Sequence, residues 1–150
     1  MNKLDEPRGY CLDVPGFIAE AKPEKGLQIH TCYSYRGPLA VDQAFDSDKI
    51  SGGTFQIIQF DLCMTAQGHS EEGKLSLAPC DGGNNQQFKH ESDGQIESLA
   101  VRGNCLTAGK GPSNKGGGGD PVHLYRDLTL EDCNSSIDDR QRWRLRETAD

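Results

Sequence analysis

Cys11-Leu12-Asp13-Val14, then Leu27-Gln28-Ile29-His30-Thr31-Cys32, then Gln43-Ala44-Phe45: the run places a cysteine in an apolar segment, a second cysteine after an alternating segment, and a Gln-x-aromatic triplet. It returns as Cys63-Met64-Thr65, Leu75-Ser76-Leu77-Ala78-Pro79-Cys80 and Gln86-Gln87-Phe88. A third copy reads Cys105-Leu106-Thr107, Leu128-Thr129-Leu130-Glu131-Asp132-Cys133 and Gln141-Arg142-Trp143. A unit of roughly 40 to 50 residues that carries several short strands belongs to arrays, propellers or pseudo-symmetric barrels. The repeats run approximately over 1–52, 53–94 and 95–150, and 150 residues leave room for one domain, 1–150, around one core.

Around the cysteines the apolar residues stand at i and i+2, the period of a half-buried strand: Leu27 and Ile29, Leu75 and Leu77, Leu128 and Leu130. Thr54–Phe60 and Gln95–Leu99 read as further strands, and Pro15-Gly16, Gly52-Gly53, Asp81-Gly82-Gly83-Asn84 and Asp93-Gly94 as turns. The alternation predicts an all-β chain of about four short strands per repeat. Helical signal is confined to Phe17–Lys25, where Pro23 interrupts any long run. Gly109–Pro121 offers little to pack and reads as an extended surface loop inside the third repeat. Arg140, Arg142, Arg144 and Arg146 alternate with Gln141, Trp143 and Leu145, predicting a half-exposed strand with its arginines in solvent.

Only 34% of the residues are hydrophobic and 18 are glycine, so the core is lean. Six cysteines allow fifteen pairings. Only Cys11–Cys32, Cys63–Cys80 and Cys105–Cys133 respect the repeat, and each such link stabilises by about 3 kcal/mol in the chain-entropy model. Reduced, buried thiols are the alternative. No Cys-x-x-Cys or closely spaced Cys/His pair suggests a zinc site, and no cofactor is expected. Disulfides imply an oxidising compartment, hence a secreted or extracellular protein, although Met1-Asn2-Lys3-Leu4-Asp5 carries no apolar signal-peptide region. No stretch is long and apolar enough for membrane insertion. The net charge of −7 speaks against nucleic acid, whose phosphates demand clustered Lys and Arg. Asn134-Ser135-Ser136 matches an N-glycosylation acceptor, a triplet frequent by chance.

Three Gln-x-aromatic triplets in phase with three cysteine pairs resemble the ricin B-type lectins, a β-trefoil family marked by Cys-Leu-Asp, an apolar-x-apolar strand ending near a cysteine, and Gln-x-Trp in each of three repeats. The resemblance covers nearly the whole chain. It implies a β-trefoil of six hairpins, with one disulfide per repeat and a core shared at the pseudo-threefold axis. It also assigns Phe45, Phe88 and Trp143 to that core, and makes the preceding glutamines braces for the neighbouring site.

Sugars present vicinal hydroxyls, which need paired acceptors or donors, and an apolar C–H face, which needs a ring. The resemblance implies a carboxylate two residues after the first cysteine, an aromatic two before the second, and an amide just before the Gln-x-Trp glutamine. The first repeat supplies Asp13, His30, Asp42 and Gln43, with Gln28 beside them. The second supplies Thr65, Ala78 and Asn85, and the third Thr107, Glu131 and Arg140, which lack both carboxylate and ring at the required places. Asp42 departs from the usual asparagine, placing a second negative charge near Asp13. Asp13 by itself also suits a cap on the Pro15-Gly16 turn. Tyr35 and Arg36, in the long connection after Cys32, are candidates for contact with a second sugar.

The expected function is therefore binding without catalysis. The resemblance implies galactose or N-acetylgalactosamine-type glycans, on glycoproteins or glycolipids, held by one site in the first repeat. One shallow site gives millimolar affinity, about −4 kcal/mol. Homo-oligomerisation or a multivalent surface would then supply avidity. The alternative is a trefoil that has lost sugar binding and acts through protein contacts, as an inhibitor or toxin-associated subunit does.

Overall fold

The computed structural model describes residues 1–16, 20–34, 38–67, 73–116, 121–133 and 139–146. Where apolar residues alternate, strands form: β1 (Tyr10–Asp13), β2 (Gln28–Thr31), β3 (Gln56–Ile57), β4 (Leu62–Ala66), β5 (Leu75–Pro79), β6 (Phe88–His90), β7 (Ile96–Ser98), β8 (Asn104–Ala108), β9 (Asn114–Lys115) and β10 (Leu124–Asp132). One helical turn, α1 (Ser47–Ile50), and several 3-10 turns complete the described elements. All pairings are antiparallel, in a seven-stranded sheet ordered β1-β2-β10-β8-β7-β6 with β9 on β10, and a three-stranded sheet ordered β3-β4-β5. An isolated bridge, Lys74–Thr129, joins the two sheets, and another, Phe45–Ile57, ties the first Gln-x-aromatic segment to β3.

The threefold pattern is written into the backbone as well as the sequence. Two residues before the first cysteine of each repeat the chain turns left-handed, at Gly9 (φ 87°), Asp61 (φ 52°) and Gly103 (φ 82°). Glycine reaches that conformation without a Cβ clash, and a short polar aspartate tolerates it. The turn aims the next residues into β1, β4 and β8. Their equivalent side chains Leu12, Met64 and Leu106, and after them Val14, Ala66 and Ala108, all enter the core. Cys11–Cys32, Cys63–Cys80 and Cys105–Cys133 are disulfides, with sequence separations of 21, 17 and 28. Phe88 and Trp143 are buried at the centre, and the Trp143 indole Nε1 donates to Leu106 O at 3.0 Å. Phe45 is only partly buried.

Three expectations change. Thr54–Phe60 keeps just Gln56–Ile57 as strand, because Ile58–Phe60 forms a 3-10 turn that leads into the left-handed corner at Asp61. The arginine-rich end is not a strand: after a 3-10 turn at Asp139–Gln141 it runs irregularly, tied by Trp143 N to Gly94 O at 2.8 Å and Arg144 N to Met1 O at 3.1 Å. Its arginines are not all in solvent, since Arg146 Nη1 donates to Tyr33 O at 2.7 Å and Arg140 Nη1 to Ala108 O at 3.3 Å. The segment from Gly109 lies at the surface as expected, but it is not all loop. It folds back as β9 onto β10 because Ser113 and Gly109 meet Arg126, whose guanidinium donates to Ser113 Oγ, Gly109 O and Asp5 Oδ1 at 2.7, 2.9 and 2.9 Å.

Candidate functional site

In each repeat the Gln-x-aromatic glutamine bolts two strands together. Gln86 Nε2 donates to Thr65 Oγ1 (3.2 Å) and Pro79 O (2.9 Å), while its Oε1 accepts from Asp81 N (2.8 Å). Gln141 Nε2 donates to Thr107 Oγ1 (3.0 Å) and Asp132 O (2.9 Å). Gln43 Nε2 donates to Asp13 Oδ1 and Thr31 O, both at 3.1 Å, and its Oε1 accepts from Tyr33 N (2.9 Å). The amide thus spans from the residue two after the first cysteine to the carbonyl just before the second. Thr65 and Thr107 close the bolt by donating to Cys63 O and Cys105 O, each at 2.9 Å. Asp13 has no proton to give when ionised, and in its place brings a second acceptor oxygen.

That second oxygen, Oδ2, accepts from Gln28 Nε2 at 2.9 Å, across the register in which Asp13 faces Gln28. Asp13 is 1% exposed. Burial pushes its carboxyl up to about 7, the Gln28 and Gln43 amides pull it back, and the charge of Asp42 adds to the rise. Asp42 is buried in the 3-10 turn Pro38–Gln43, and its carbonyl accepts from Val14 N at 3.1 Å. The structure therefore brings Asp13, Gln28, Asp42 and Gln43 into one polar cluster, with the two aspartates buried and the two amides half-buried.

His30 lies on the same strand but is 8% exposed, and its ring contacts are Tyr33 (centroids 5.1 Å apart) and His123 (5.3 Å, edge-on). Its Nδ1 sits 2.8 Å from Thr31 O and so carries the proton. Burial holds the imidazole below its ordinary range, in the neutral form near pH 7. The third repeat covers it: Gly116 N donates to His123 O at 2.7 Å, and a Cβ on Gly116 would stand 3.4 Å from His30 Nε2. Tyr33 and His123 are thus site neighbours that the repeat comparison missed. Tyr33 immediately follows Cys32, which was its available signal, whereas His123 comes from a different repeat and left none. The Tyr33 hydroxyl is pushed up to about 12 by burial and by Asp13 and Asp42. Tyr35, Arg36 and Asn134 lie outside the described residues.

The other repeats fill the equivalent positions differently. Repeat two presents Thr65, Ala78 and an exposed Asn85. In repeat three Glu131 and Arg140 face each other as an ion pair at 3.6 Å, occupying the place of the ring and the amide.

A β-trefoil with lectin-type glutamine bolts is the class this fold and cluster define. The family model of the ricin-type beta-trefoil lectin domain matches residues 3–122 and 51–150, so the chain belongs to that family. A solved structure with the same fold is the earthworm lectin C-terminal domain mutant in complex with 6'-sialyllactose, at TM-score 0.55 and 21% identity over 89% of this chain and 87% of that one. No curated protein matches the chain.

Proposed function

We propose that the chain binds galactose or N-acetylgalactosamine-type glycans, without catalysis, through one site in the first repeat built from Asp13, Gln28, His30, Asp42 and Gln43. One observation carries the reading: of three equivalent glutamine bolts, only Gln43 holds a carboxylate where Gln86 and Gln141 hold threonine hydroxyls. Asp13 already receives two N–H donors, and two vicinal hydroxyls replace donors with donors. The exchange requires Gln28 to swing aside and the C–H face of the sugar to displace Tyr33 or His123 from His30. Such a site is satisfied without its ligand, which keeps affinity low. The complex of the earthworm lectin domain with a glycan supports the same class of ligand. The partners are then glycans of glycoproteins or glycolipids, met in an oxidising, extracellular setting, with avidity from homo-oligomers or clustered glycans.

The burial of Asp13 and His30 favours a second reading, a trefoil acting through protein contacts. A glycan array probed with the parent protein and with Asp13→Thr decides between them. Binding to galactose-terminated glycans that disappears in the folded Asp13→Thr variant supports the lectin site. Silence of the parent protein on every glycan hands the function to protein contacts.

A further inference from the structure

A cavity of about 510 Å³ opens beside Phe45. It is open to solvent, with buried core residues at one end and exposed ones at the other, the form of a small-molecule cleft rather than of an interior void. Its origin lies in the repeat. Where the family pattern has Gln-x-Trp, the first repeat has Phe45, and Phe45 is the one member of the aromatic trio that is only partly buried. Phe88, the same ring at the equivalent place of the second repeat, is buried, so it is the partial burial of Phe45 that leaves space against Phe55, Ile96 and Trp143, which line the cavity with it.

The mouth has its own character. Ile58 (60% exposed) and Leu145 (41%) stand at it, two of the three exposed large hydrophobic residues among those described. Arg144, exposed, and Arg146 stand beside them. Among the described residues no acidic side chain lines the cavity, in a chain of net charge −7. Apolar walls that end in a cationic rim match a ligand with a hydrocarbon body and an anionic head, and the volume falls within the roughly 300–1,000 Å³ of small-molecule sites. We propose that this cavity binds a small anionic amphiphile, a medium-chain fatty acid carboxylate, with the chain against Phe45, Phe55 and Trp143 and the head group at Arg144. Gln43 and Tyr33 border both this cavity and the proposed sugar cluster, but the chain and head-group contacts fall on Phe45, Phe55, Trp143 and Arg144, none of which belongs to that cluster, so the proposal does not depend on sugar binding.

Titration of the full chain with decanoate by isothermal calorimetry tests it. The expected result is saturable one-to-one binding that weakens about tenfold in Arg144→Glu, on the exposed rim, and is lost in Phe45→Trp, which restores the larger ring and fills the hollow. Thermal midpoints check folding, and Phe45→Trp should melt no lower than the parent. Should Phe45→Trp fail to fold, Ile58→Asp at the exposed mouth takes its place with the same expected loss. Absence of saturable binding, full binding by Phe45→Trp or its substitute, or displacement of decanoate by neutral decanol at equal concentration overturns the proposal.

Discussion

At the scale of single residues, Asp13 exchanges stability for an acceptor pair. Its folded pKa of about 7 lies above the unfolded value of 3.8, so the unfolded chain gives up its proton first as pH rises. The stability it contributes is full below about pH 4 and is lost progressively up to about pH 7, a swing on the order of 4 kcal/mol for an isolated group. Asp13→Thr recreates the hydroxyl bolt of Thr65 and Thr107 and removes the buried acid. The variant should be more stable than the parent at pH 7.5 by about 1–3 kcal/mol, with the gain vanishing near pH 4, as urea melts at the two pH values will show. Glycan binding follows the opposite sign. In the proposed site the ionised carboxylate is the acceptor of two sugar hydroxyls, so affinity should rise between pH 6 and 8, and a flat profile in that window would remove Asp13 from the contact. Stability and binding therefore pull this one residue in opposite directions.

At the scale of elements, the β9 hairpin decides whether His30 meets solvent. Replacing residues 111–121 with a short glycine turn uncovers the ring, and its imidazole should titrate closer to the ordinary 6.5, a change visible by NMR. If burial beneath β9 is what limits access, the same variant binds glycan faster; an unchanged association rate places the barrier at Tyr33 instead. Holding the hairpin down is Arg126, buried among Ser113, Gly109 and Asp5 with its guanidinium 5.7 Å from the Tyr10 ring centroid. Arg126→Ala should cost about 2–3 kcal/mol in denaturant melts, the scale of lost charge-assisted hydrogen bonds. None of this could be read from Gly109–Pro121, whose composition signals a loop. The strands beside the cysteines were legible because a half-buried strand must alternate, and the bolts because Gln43, Gln86 and Gln141 recur in phase. What the sequence hid were contacts between repeats: His123 over His30, Arg126 on Asp5, and Met1 against Arg144. Each depends on how three similar units close on one another, which no single unit encodes.

At the scale of the whole molecule, the lean core and the three cross-links are two halves of one balance. A domain of this size is stable by roughly 5–15 kcal/mol in total, a small remainder between burial and chain entropy. With 34% hydrophobic residues and 18 glycines, the core has little apolar material to bury. Loops of 21, 17 and 28 residues closed by disulfides restrict the unfolded chain, and at about 3 kcal/mol each their sum rivals the entire net stability. Full reduction should therefore unfold the protein at 37 °C without denaturant. Trp143, the single tryptophan and a core residue, reports it: reduction should shift its fluorescence to the red and abolish the near-ultraviolet circular dichroism, and reoxidation should restore both. A reduced chain that keeps the buried Trp143 signal would show that packing alone holds the trefoil, and an oxidising compartment would no longer be required.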